Sequence, residues 1–495
     1  MFLLLPVAAL TLVLIPSVVP GVGWDFRVFF EAGHHYLHGQ TPYPVASLAG
    51  VVGKNVFVYP APAAAATAPF ALLPYWVAFG IWTAGSIAAV LFALRLVGVR
   101  DWRCFGAVFL TVPLLDSIRL GTVGPLLMLL LALLWRYRER RWIAAPALAA
   151  LVVLKVFLWP LLIWLVFSPR HRRTALTAGA LSVVVALVSW LPIGLSSVRA
   201  YPHVLGSLSR YEETFSFSPT SLAVMLGTNR TAAHVAVAVL GIGLLIAVAL
   251  TASRAELLSF RLALAAAFTL SPIVWGHYWA LLFVPLALTR PRLSPRWFVA
   301  LWIPAEALFW TRWTAFWIAA ALVVMLVQLD LVPGAPARLS GLSGYRFGGA
   351  MAAVAVAAFS VAAIEAGDSG VLRGAALQPI SGGTAFAEAR LSVDLQPRTI
   401  CWTAWTEGVR SGGPARAQLT DGSGARLQLR GFALRGGGLA RGCSNYAPEA
   451  SARLEDIVDR SGSYRLEIKP GASDELLVGS LRGGSHDQAT AEGAQ

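Results

Sequence analysis

Charge is what this chain of 495 residues has least of: Asp, Glu, Lys and Arg make up 13% of it, against about 25% in soluble domains. With 57% hydrophobic residues and 18 tryptophans, that shortage excludes a soluble globule and indicates an integral membrane protein with several spans. Cysteine is scarce too. The three residues, Cys104, Cys401 and Cys443, form no CxxC and no Cys/His cluster, so no metal site is expected. Lysine is very rare beside arginine, and alanine and glycine are plentiful, a composition that suggests a GC-rich bacterial genome. The net charge of +14 would suit nucleic acid, but the basic residues cluster in short loops between apolar runs. That distribution reports topology and marks the cytoplasmic side. No nucleic-acid partner is expected.

Two regions follow from the composition. Residues 1–366 are apolar runs separated by Arg-rich loops; residues 367–495 are rich in Gly, Ser, Arg and Asp and contain no further span. Alternating stretches such as "ARLSVDL", "ARLQLRGF" and "SYRLEIKP" read as strands between Gly-rich turns, a small β-sandwich-like domain. Met1 to Pro20 has no Lys or Arg before its apolar core and no clear small-x-small cleavage site, so it reads as a retained first span.

The basic loops "RLVGVRDWR" (95–103), "RYRERR" (136–141), "SPRHRR" (168–173), "SRAELLSFR" (253–261) and "RPRLSPR" (290–296) all read as cytoplasmic. A full span needs about 20 residues. Between the second and third loops lie only 26 residues, too many for one span and too few for two. The economical solution is a pair of short helices meeting near Lys155. The interval from Cys104 to Trp135 behaves alike, with its apex in "DSIRLGTVG" (116–124), as does Leu262 to Thr289, with its apex in "SPIVWGHYW" (271–279). Three hairpins thus aim Arg119, Lys155 and His277 away from the cytoplasm. Irregular backbone survives at that depth only where it lines a wet cavity. Asp25 emerges on the same side if the N-terminus is cytoplasmic. Further spans are expected at 74–97, 174–193, 231–252, 297–311, 314–331 and 347–365. The total is about thirteen membrane segments, and it puts the β-domain outside, where Cys401 and Cys443 are candidates for a disulfide.

The stretch around Asp25, "GWDFRVFFEAGHHYLHGQTPYP", has helical spacing: Phe26, Phe29, Phe30, Gly33, Tyr36 and Leu37 on one face, Arg27, Glu31, His34, His35 and His38 on the other. It describes an amphipathic helix in the membrane interface. Asp25 is placed to be its N-cap, and the histidines read equally as a solvated face or as contacts for an acceptor headgroup (His34, His35). Lys155 is either snorkelling to the interface or binding an anion, and intramembrane charge is costly enough to favour the second. For Arg119 the two readings stand level. His277, between Trp275 and Trp279, is either part of an aromatic belt or a functional imidazole. Glu306 is another buried acid with nothing to pair it to the site. In the C-terminal region Trp402, Trp405 and Tyr446 are core residues or glycan-stacking ones.

The acid after the first span, in "WDFRVFFEAGHHYLHGQTPYP", resembles the first external loop of the GT-C enzymes of glycosyltransferase family 87. Four more stretches resemble that family in order: "VYPAPAAAATAPFALLP" (58–74), "GTVGPLLMLLLALL" (121–134), "LVVLKVFLWPLLIWLVF" (151–167) and "SPIVWGHYWALLFVPLAL" (271–288). The resemblance covers roughly residues 1–330. Thr122 departs from it where the family usually has Gln, and Gly276 where an acid often precedes the histidine. It implies a polytopic α-helical membrane fold of GT-C type and an inverting transfer of a hexose, mannose by likeness, from a polyprenyl-phosphate sugar to a glycolipid or glycan hydroxyl at the external face. Asp25 would be the general base and His277 its helper. Arg119 and Lys155 would bind the donor phosphate, Tyr59, Trp275 and Tyr278 would line the pocket, and no cofactor or metal is implied. The implied location is the bacterial plasma membrane, with the N-terminus cytoplasmic. A transporter or flippase of lipid-linked sugars is the competing reading, but no internal repeat of span pattern supports it. A scaffold presenting the β-domain would leave the recessed charges unexplained.

Overall fold

The computed structural model describes residues 4–14, 22–43, 56–212, 216–225, 230–294, 296–298, 371–379, 386–394, 399–407, 414–433, 439–446, 450–469 and 476–481. The expected span at 297–311 beyond Phe298, those at 314–331 and 347–365, and Glu306 lie outside them. Among the described residues three helices are long and apolar enough to cross a membrane, Tyr75–Leu96, Arg172–Trp190 and Ala232–Thr251, with a fourth if a bent pair counts as one span. The protein is therefore membrane-integral. The three long helices keep exposed apolar stripes, for instance Val183, Val184, Leu187 and Val188, and Val235, Val239, Ile242 and Ile246. In water such surfaces would be liabilities, whereas against lipid they are the expected outer face.

The other helices are short. In chain order, α1 is Leu4–Val13, α2 Trp24–Leu37, α3 Ala61–Thr67 and α4 Tyr75–Leu96. The first hairpin then contains α5 (Trp102–Val108), α6 (Val112–Leu120) and α7 (Gly124–Arg136), with a 116° bend between the last two. Gly121 makes that turn at φ +73°, and a Cβ there would fall 2.6 Å from Phe26 Cβ. Only glycine serves both conditions. The second hairpin is α8 (Arg141–Leu154) and α9 (Pro160–Phe167), broken where Lys155 takes an extended conformation and a 3-10 turn follows. After the long α10 (Arg172–Trp190) come α11 (Ser196–Glu212), α12 (Pro219–Met225) and α13 (Arg230–Thr251). The third hairpin is α14 (Glu256–Leu270), a 3-10 helix at Gly276–Leu282, and α15 (Phe283–Thr289).

One ionic knot shows that the second hairpin does return. Glu256 Oε1 accepts from Arg138 Nε at 2.7 Å and lies 2.7 Å from Nε2 of the buried His171. Three basic loops (136–141, 168–173 and 253–261) therefore meet at one point, so the intervals between them fold back instead of crossing. The Arg138 guanidinium also lies 4.5 Å over the Trp135 ring. A second tie, Leu293 N–H to Asp101 Oδ2 at 3.1 Å, joins loop 95–103 to loop 290–296.

The C-terminal region forms one eight-stranded antiparallel sheet. Its strands are β1 (Val371–Pro379), β2 (Phe386–Asp394), β3 (Thr399–Glu407), β4 (Pro414–Thr420), β5 (Arg426–Ala433), β6 (Leu439–Asn445), β7 (Arg465–Lys469) and β8 (Leu477–Ser480), in the order β5-β4-β7-β8-β1-β2-β3-β6. The end of β1 leaves β2 to pair with β8, so the two halves share one core. Leu391 and Trp402 from one half meet Leu419 and Ile468 from the other. Trp402 is buried there, which corrects its reading as a glycan-stacking ring. Tyr446 packs on the same core and donates its hydroxyl to Gln428 O. In the β3–β6 ladder Cys401 stands directly opposite Cys443.

Candidate active site

The helix that carries Asp25 is fixed along its buried face. Phe26 sits among Phe30, Phe70, Tyr75, Phe79 and Trp82, ring centroids 5.4 to 6.2 Å away. Gly23, at φ +74°, is the N-cap, and its carbonyl accepts from Tyr75 Oη at 2.9 Å. Its N–H donates to Arg119 O at 2.8 Å, so the end of α6 and the start of α2 are joined by backbone. Asp25 is thus not the N-cap, as the spacing had suggested. It is the second residue of the helix, and the left-handed Gly23 takes the N-cap position. Its carboxylate is left for something else.

The first two hairpin apices act on that carboxylate, and the third meets Lys155 beside it. The charges acting on Asp25 are Lys155, Arg119 and Asp116, in decreasing strength. Lys155 does not snorkel. Its Nζ lies 3.7 Å from the Tyr59 ring centroid, 4.6 Å from Tyr278 and 5.0 Å from Trp275. Three ring faces around the ammonium contribute about 2 kcal/mol or more in attraction, which offsets part of the cost of its burial. Tyr59 and Tyr278 also meet hydroxyl to hydroxyl at 3.3 Å, and Tyr43 Oη donates to Tyr59 O at 2.9 Å. His277 is buried beside Tyr278, ring centroids 4.5 Å apart, and feels both Lys155 and Arg119. Its Nε2 has no hydrogen-bond partner among the described residues. A buried polar atom left so is costly and is suited to a bound ligand.

Asp25 itself keeps part of its surface open. Burial pushes its carboxyl up, Lys155 and Arg119 pull it down, and Asp116 adds to the rise; the result is about 6 against an ordinary 3.8. A carboxylate poised there accepts a proton near neutral pH.

Sequence spacing alone missed Asp116. It pairs with Arg119 three residues on, Arg119 Nη2 at 3.1 Å and Nε at 3.2 Å from the same Oδ1, both side chains about one-fifth exposed. An acid three residues before an arginine in an apolar hairpin was the available signal. His34 and His35 are exposed on the outer face of α2, His35 bonded to Gln40 and His34 against His38; the folding does not bring them to the cluster. Thr122 is buried, its hydroxyl 2.7 Å from Ser117 Oγ and accepting from Gly124 N–H at 3.2 Å. There it supports the turn into α7. The neighbouring segment of the third hairpin is braced by Phe217 N–H to Val274 O at 2.7 Å and Val274 N–H to Ser216 Oγ at 2.8 Å.

Fold and site together define a polytopic helical membrane protein in which short hairpins carry an acid, two cations and a histidine to one recessed point. Residues 57–275 match the model of Glycosyltransferase family 87, so over that region the chain is glycosyltransferase family 87-like. Tyr59, Arg119, Lys155 and Trp275 fall inside the matched residues; Asp25 and His277 lie beyond its two ends. The chain is 30% identical over 253 residues to the polyprenol-phosphate-mannose-dependent alpha-(1-2)-phosphatidylinositol pentamannoside mannosyltransferase of Mycolicibacterium smegmatis (strain ATCC 700084 / mc(2)155), an alignment covering 46% of this chain and 60% of that protein. It thus spans less than two-thirds of the relative's length. No solved structure matches.

Proposed function

We propose that the protein is a glycosyltransferase that moves mannose from a polyprenyl-phosphate donor to a glycolipid hydroxyl at the external face of a bacterial plasma membrane. The observation that carries this reading is the meeting of Asp25, Lys155, Arg119 and His277 from four separate chain segments. Such a site suits a substrate with a proton to lose and a phosphate to release. The likeness to a mannosyltransferase supports the sugar and the class of acceptor.

In this reading the acceptor hydroxyl gives its proton to Asp25 as its oxygen bonds to the anomeric carbon. The bond from that carbon to the phosphate oxygen breaks on the opposite side, and its electron pair leaves with the lipid phosphate. Configuration is inverted. Lys155 and Arg119 hold the growing phosphate charge, and His277 donates to a phosphate or sugar oxygen. Two fixed cations supply what a divalent ion would, so transfer should persist in excess chelator.

The lipid part of the donor also finds a surface. An apolar hollow of about 520 Å³ is lined by Leu14, Val22, Trp76, Phe79, Gly80, Thr83, Ala84 and Ile87, and Phe79 packs on Phe26 beside Asp25. It opens outward along the exposed face of α4, which suits an isoprenoid chain entering from the bilayer. The external position proposed for the β-domain puts Cys401 and Cys443 in an oxidising compartment, where facing cysteines form a disulfide.

The test is to incubate membranes holding wild type or Asp25→Asn with radiolabelled polyprenyl-phosphate-mannose and identify the labelled products. Transfer by wild type with a loss of at least about 100-fold in the variant is expected. Full transfer by Asp25→Asn would remove the base assignment, and no use of any lipid-phosphate sugar by wild type would remove the enzyme.

A further inference from the structure

A base placed beside two cations faces a conflict. The charges that stabilise a departing phosphate also hold protons off a neighbouring carboxylate and weaken it as a base. The groups that face Asp25 are Lys155 from the second hairpin, Arg119 and Asp116 from the first, and Tyr59 ahead of α3. His277 on the third hairpin shares the field of Lys155 and Arg119. On α2 itself Arg27 and Glu31 are exposed and act on Tyr75 instead. Of these groups only Asp116 opposes the cations. It does so from a fixed place, one helical turn before Arg119 and bonded to it at 3.1 and 3.2 Å. The Arg119 carbonyl is in turn tied to Gly23 N–H at 2.8 Å, two residues from the base.

We propose that Asp116 is a positioning residue for the transfer: its ion pair aims Arg119 at the donor phosphate while offsetting enough of that charge to leave Asp25 a competent base. This rests on the glycosyltransferase reading. The device separates two demands on one cation. A guanidinium spreads a permanent charge over a planar fork, so an ion pair to one carboxylate oxygen lessens its field without removing it.

The experiment uses purified full-length protein in lipid nanodiscs. It compares wild type, Asp116→Asn and Asp116→Glu, each required to elute as a single monodisperse species. Two readouts are taken against pH: the rate of transfer from polyprenyl-phosphate-mannose, and carbodiimide labelling of Asp25 followed by peptide mass spectrometry, which reports the protonated carboxyl without turnover. Asp116→Asn should move both midpoints down, by roughly one pH unit for the loss of a nearby unit charge in a half-buried site. The plateau rate should fall by less than about tenfold, as a weaker base gives. Asp116→Glu should restore the midpoint. An unmoved labelling midpoint in Asp116→Asn overturns the proposal, whatever happens to the rate. If wild type transfers no lipid-phosphate sugar, the enzymatic reading fails while the labelling midpoints still decide the electrostatic one.

Discussion

At the scale of single residues, Asp25 and Lys155 are the pair on which the proposed transfer turns. Asp25 must be charged to accept a proton, and burial holds its carboxyl up near 6. Below that pH the protonated acid cannot act, so transfer should rise through a midpoint of about 6 and level off above 7. A pH–rate profile in nanodiscs checks this, and an acid limb near 4 would mean an unperturbed carboxylate. Lys155→Met keeps an unbranched apolar side chain but removes the ammonium that sits over Tyr59, Tyr278 and Trp275. It should cut the rate by about 10²–10³ with little loss of donor binding, measured as kcat and KM. Both residues were legible in the sequence because charge is so rare in this region that each instance asks for a reason. Asp116 escaped notice because its partner is close in sequence, where an ion pair reads as ordinary helix surface. The capping role given to Asp25 was wrong for a related reason. Spacing put an acid at a helix start, but the backbone of Gly23, which only the fold fixes, had already made the cap.

Among the elements, the hairpins were foreseen from loop spacing alone, since five Arg-rich loops bracket intervals of known length. Their details were not. The 116° bend at Gly121 and the extended Lys155 depend on what packs against them. The α4 helix was also expected, within a residue or two of its observed ends. What spacing did not reveal is the hollow along its outer face. Gly80 lines it, and a Cβ there would meet nothing within 4 Å. Gly80→Phe therefore should fold normally and fill the space. On the donor-groove reading, KM should rise about tenfold, ~1.4 kcal/mol, for long-chain polyprenyl donors, with no change for a short-chain analogue. Equal effects on both donors would place the lipid elsewhere.

For the molecule as a whole, the two-region organisation was visible in composition, and the strands of the C-terminal sheet in alternation. Their joining into one sheet was not, because the passage of β1 from β2 to β8 depends on pairing that no local pattern encodes. The same holds for the knot of Arg138, His171 and Glu256. Its members are spread across three loops, and only the assembled chain shows that they meet. That knot, with the short helices it gathers, sets a vertical scale. The α8 helix has 14 residues, or roughly 21 Å of rise, against a hydrocarbon layer of about 30 Å. If the knot lies at the inner surface, the reacting groups sit several ångströms beneath the outer one, and a headgroup must descend or the lipid must dimple to reach them. Catalysis then becomes a gauge of bilayer thickness. Reconstituted into lipids of increasing acyl length, the protein should slow steadily once the leaflet outgrows its hairpins. A rate indifferent to acyl length would put the reaction level with the surface.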